Sequence, residues 1–72
     1  MAITKTDLEN WFTYHTPSEG QLPKYARIRS AGLALAEAIM FEAPASADQT
    51  AAIRNVREAV MTANAAIACG GK

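Results

Sequence analysis

The sequence predicts an all-α fold: a short N-terminal helix, then an antiparallel hairpin of two longer helices, the whole assembling into a compact homo-oligomer. Three observations carry this expectation. Apolar residues return at spacings of three and four along two long segments, as on the buried stripe of an amphipathic helix. Sixteen of the 72 residues are Ala and only five are aromatic, which favours close helix packing over one bulky core. A single Cys and a single His leave no internal disulfide and no Cys/His zinc cluster, and small helical chains without such staples commonly oligomerise. At 7.7 kDa, residues 1–72 read as one domain.

The first helix begins at Thr6-Asp7-Leu8-Glu9, where a Thr three residues before a Glu forms a reciprocal cap. Leu8, Trp11 and Phe12 give it an anchoring apolar face, and it is expected to end near Tyr14. His15-Thr16-Pro17-Ser18-Glu19-Gly20-Gln21 is dense in turn formers, and Pro17 turns Thr16 away from helical geometry. Pro23 suits the first position of a second helix, because the amide hydrogen it lacks has no helical partner there. That helix runs to about Glu42, with Tyr25, Ile28, Leu35, Ile39 and Met40 on one broad face. Gly32 inside it costs about 1 kcal/mol relative to Ala, which implies a close helix contact or a bend.

Pro44 closes the second helix, and Ser46-Ala47-Asp48-Gln49 opens the third with another capping box. Ile53, Val56, Val60, Ala63 and Ile67 then follow the alternating spacing of a helix packed against a near-antiparallel partner. Gly70-Gly71 ends it. Ala59, Ala63, Ala65, Ala66 and Ala68 permit close backbone approach and are the expected contact between subunits. No long apolar run suggests a membrane span, and Met1 to Lys5 lacks the apolar core of a secretion signal, so a cytoplasmic protein is expected.

The inventory for catalysis is thin. His15 reads either as a loop histidine bonded to backbone or as a base or ligand, and Cys69 sits beside the chain end. Seven Lys and Arg balance seven Asp and Glu, so no long-range field draws nucleic acid or an anionic membrane, and any anion site has to be local. Lys24, Arg27 and Arg29 supply such a concentration at the start of the second helix, where the macrodipole also favours anions. Tyr14 and Tyr25 offer flat faces for stacking a base. Arg54 and Arg57 form a second basic pair, with Glu58 at the surface-pair spacing from Arg54.

Tyr14-His15-Thr16-Pro17, Lys24 to Arg29, Ala43 to Ser46, and the run Glu58-Ala59-Val60-Met61-Thr62-Ala63-Asn64-Ala65-Ala66-Ile67-Ala68 together resemble the anti-CBASS type 2 family, small phage proteins that sequester cyclic nucleotides. The resemblance extends over about residues 10–68. It implies a homohexameric, non-enzymatic sponge in the cytoplasm of the infected bacterial host. Cyclic dinucleotides such as 3′,3′-cyclic GMP–AMP would be held between protomers, with no membrane, DNA or RNA partner and no cofactor. Tyr14 matches the residue that stacks on bases; Arg29 or Lys24 matches the phosphate contact; Arg27 adds charge, and His15, Thr16 and Pro17 shape the surrounding loop. Thr16 stands where the family often has a proline. Some relatives also bind cyclic trinucleotides near the end of the last helix, where Cys69 takes the place of an Arg. From residues alone, a small helical module offering the basic face of the second helix to a protein or nucleic acid is the alternative.

Overall fold

A computed structural model describes residues 2–72 as three helices: α1 (Lys5–Trp11), α2 (Leu22–Glu42) and α3 (Ala47–Ala68). The expected order of elements holds, and the differences lie at the helix ends. The first cap is Thr4 rather than Thr6: its hydroxyl accepts from the Asp7 amide while the Asp7 carboxylate accepts from the Thr4 amide. A shorter Asp closes the same reciprocal box that a Glu would, two residues earlier. α1 ends at Trp11, not near Tyr14, with Phe12 as its C-cap. Phe12 is 85% exposed, so the expected anchoring face reduces to half-exposed Leu8 and Trp11.

α2 begins one residue before Pro23 and ends at Glu42 as expected. Ser46 caps α3 by accepting from the Gln49 amide. Gln49 does not complete the box; its side-chain amide donates to the Met40 and Ala43 carbonyls at the end of α2. The tight turn around Pro44 is thereby closed from the α3 side. At the other end Gly70 and Gly71, both with positive φ, let the Gly70 and Gly71 amides bond the Ile67 and Ala66 carbonyls. This pair of bonds is the Schellman closure, available at low cost only to glycine.

α2 and α3 pack as the antiparallel hairpin, and their contact is the principal one between helices. Ile53, Val56, Val60, Ala63 and Ile67 are all half-buried along α3, facing Tyr25, Ile28, Gly32, Ala36 and Ile39 of α2 at the same spacing. Leu35 and Met40, expected on the packed face, lie at its edges and are more than half exposed. A Cβ added to Gly32 would sit 2.5 Å from the Val60 Cγ2 methyl. The glycine therefore marks a close helix contact, the first of the two roles its cost implied.

The molecule measures 44 × 31 × 17 Å, so its thinnest dimension is little more than one helix with side chains, about 10–12 Å. A layer of this kind encloses nothing, and among the described residues none is buried. No helix among them is long and apolar enough to cross a membrane.

Candidate functional site

The segment between α1 and α2 carries Tyr14, and side chains bonded to backbone shape it. His15 Nε2 lies 2.7 Å from the Asn10 carbonyl oxygen. A carbonyl only accepts, so this nitrogen carries the proton and Nδ1 is left as the acceptor of the neutral ring. Asn10 in turn donates from its side chain to the Cys69 carbonyl, and Trp11 Nε1 donates to the Lys72 carbonyl at 2.9 Å. At the far end of the loop, Gln21 accepts from the Ser18 amide and donates to the Ile67 carbonyl. The α1 segment and its following loop are thus strapped to the C-terminal turn of α3 at both ends.

Between these ties Tyr14 stands 82% exposed, with Thr16 and Pro17 exposed beside it and His15 half-buried beneath. An aromatic ring on a tethered loop can stack against a planar ligand without first ordering its own backbone. Of the three basic residues, Lys24 and Arg27 are one helical turn apart on one flank of α2. Arg29 is two positions beyond Arg27 and so about 200° round the helix, toward the opposite flank. All three are exposed. A single protomer therefore splits the basic cluster: Lys24 with Arg27 on one side of the hairpin, Arg29 on the other. Lys24 and Arg29 are not interchangeable occupants of one pocket on this chain.

Tyr25, weighed as a second stacking face, turns into the hairpin seam and is half-buried. Arg54 and Arg57 line a shallow surface hollow with Asn55, Glu58 and Met61 on the outer side of α3. Sequence reasoning missed Asn10, Trp11 and Gln21 as the strap; their polar atoms reach carbonyls 46 to 61 residues away, and no local spacing encodes such a partner. Asn64, a member of the α3 motif, has its Oδ1 enclosed without a hydrogen-bond partner within the described residues.

A helical hairpin with an N-terminal segment strapped to its open end, presenting one tyrosine on a tethered loop, is the class of protein that the fold and site define. Residues 4–68 match the family model described as Acb2/Tad1, hairpin domain. The chain belongs to that family. No curated protein and no solved structure matches it.

Proposed function

We propose that the protein is a sponge: as a homo-oligomer of six chains in the cytoplasm of an infected bacterium, it binds cyclic dinucleotides and so keeps CBASS effectors below their firing threshold. The observation that carries this reading is the family match over nearly the whole chain, and the exposed Tyr14 on its tethered loop supports it. In this reading Tyr14 stacks on the bases, and Arg29 or Lys24 meets phosphate. Arg27 adds to the local field, while His15, Thr16 and Pro17 form the rim. The ligand is held and released without any bond being broken, and no cofactor takes part. Cyclic trinucleotides are a second ligand class.

Sequestration at low signal concentration calls for a dissociation constant in the nanomolar range, about −12 kcal/mol. Stacking and charge-assisted phosphate contacts supply such energy only when the ligand is enclosed. The splitting of Lys24 from Arg29 makes the phosphate assignment testable, because each residue belongs to a different side of the hairpin. Calorimetric titration with 3′,3′-cyclic GMP–AMP at near-physiological salt is expected to give tight binding, lost in Tyr14→Ala and in one of Arg29→Ala or Lys24→Ala. Unchanged affinity in Tyr14→Ala and in both basic variants would overturn the site. The exposed basic residues on both flanks favour one rival, a module that grips a nucleic acid or an acidic protein. Affinity for such a polyanion would fall steeply with salt, whereas an enclosed small ligand responds weakly.

A further inference from the structure

The protomer exposes 5795 Å² of accessible surface, whereas a compact monomer of its mass exposes about 4,300 Å². The excess, about 1,500 Å², is nearly twice the ~800 Å² that one partner contributes to a standard interface. Its radius of gyration, 15.2 Å, likewise exceeds the ~11 Å expected of a compact chain of this length. The missing burial therefore amounts to two interfaces, not one.

The hairpin has two broad faces to supply them. On one, Ile28, Ala31 and Leu35 of α2 and Ala59 and Ala63 of α3 line an apolar groove of about 450 Å³. On the other, Leu33 and Ala36 of α2 and Ile53 and Met61 of α3 line a second groove of about 240 Å³, with Arg57 at its edge. Gly32, Val56 and Val60 border both, so the two grooves lie back to back across the seam. Leu35 is 54% exposed on the first face; Leu33 is 62% and Met61 56% exposed on the second.

We propose that both faces are covered by copies of this chain through two unlike interfaces, so that each protomer is sandwiched and the smallest complete assembly is larger than a dimer. This deepens the oligomeric part of the proposed function and does not depend on the ligand. A two-fold contact through one face leaves the other uncovered, and covering it takes a further contact of a different kind. The alanines of the first face admit a neighbouring helix at close range. Leu33, Met61 and Met40, two turns on from Leu33, give the second face flexible side chains that adapt to a less regular neighbour.

The occupant is another copy because of the energetics of the lone chain. With no buried side chain among the described residues, there is no stable folded monomer to wait for a foreign partner. The cover has to be present as the chain folds, and its own copies are always supplied with it. A net charge of zero sets no repulsion between them.

Sedimentation equilibrium on the full chain tests this with Ala59→Glu on the first face and Leu33→Glu on the second. Both positions are exposed on the protomer, and Glu is a good helix former, so the helices themselves are not broken. The wild-type mass is expected to exceed two chains. Each single variant is expected to fall to a smaller species of more than one chain, and the double variant to a single chain with most helical circular dichroism lost at micromolar concentration. A wild-type mass of one or two chains, or either single variant keeping the wild-type mass, overturns the proposal. A measurement without variants is peroxide oxidation of Met40 and Met61. Oxidation in the native protein is expected to be at least tenfold slower than in urea, and equal rates overturn the covering of the second face. If these results hold while cyclic dinucleotides fail to bind, the sponge reading falls and the sandwich stands. Ligand binding to a one- or two-chain species gives the reverse.

Discussion

The seam of the hairpin and the strap across its open end are held by different physics. At the seam, α2 and α3 meet through apolar side chains, with Gly32 removing a Cβ so that Val60 can lie against the backbone. At the strap, Asn10, Trp11 and Gln21 each donate one side-chain hydrogen bond to a carbonyl in the last residues of the chain. The seam depends on shape, so its cost of error is steric and spreads through the whole hairpin. The strap depends on separate polar contacts, each worth about 0.5–1.5 kcal/mol net, so its errors stay local. The loop that carries Tyr14 is built on the second kind of contact, which holds it in place while leaving the ring in water.

Breaking the seam is expected to have the largest effect. Gly32→Val drives a branched side chain into Val60 and should destabilise the protein by about 1–3 kcal/mol in urea titration at fixed protein concentration, with Val60→Ala in the same chain recovering part of the loss. A Gly32→Val protein as stable as wild type would mean that the close contact is not made. Loosening the strap comes next. Asn10→Ala should cost about 1 kcal/mol, seen as roughly fivefold faster amide exchange confined to α1 and the C-terminal turn while α2 and the body of α3 are unchanged. Exchange quickening evenly along the chain would merge the two regions into one cooperative unit. Smallest of all, Tyr14→Ala should move stability by less than about 0.5 kcal/mol, because the ring is exposed, while abolishing cyclic dinucleotide binding. A large stability loss there would make Tyr14 part of the packing and not of the site.

The seam was legible and the strap was not, for the same reason that they behave differently. Ile53, Val56, Val60, Ala63 and Ile67 announce a helix face by spacing alone, and Gly32 announces a close approach by its cost within a helix. Asn10, Trp11 and Gln21 bond to carbonyls, which every residue carries, so nothing in the residue types at the chain end names them as partners. Capping fell between these cases. Both Thr4 and Thr6 fit the pattern of a cap, and the Asp7 carboxylate, which reaches back to the Thr4 amide, decides between them. Of the candidate site, the contiguous turn from Tyr14 to Pro17 stayed together, as adjacent residues must. The basic trio did not: helical periodicity sends Arg29 to the flank away from Lys24 and Arg27.

Periodicity, proline and glycine placement and composition were enough to establish three helices, their order, the hairpin and the need for partners, because each of these follows from local geometry or from counting apolar surface. The tertiary structure alone decided how the N-terminal segment docks and which flank each cation occupies relative to the seam. It also decided that the protomer is a thin layer with two apolar faces and nothing enclosed between them. These depend on distances between residues far apart in the chain, which spacing along one helix does not carry.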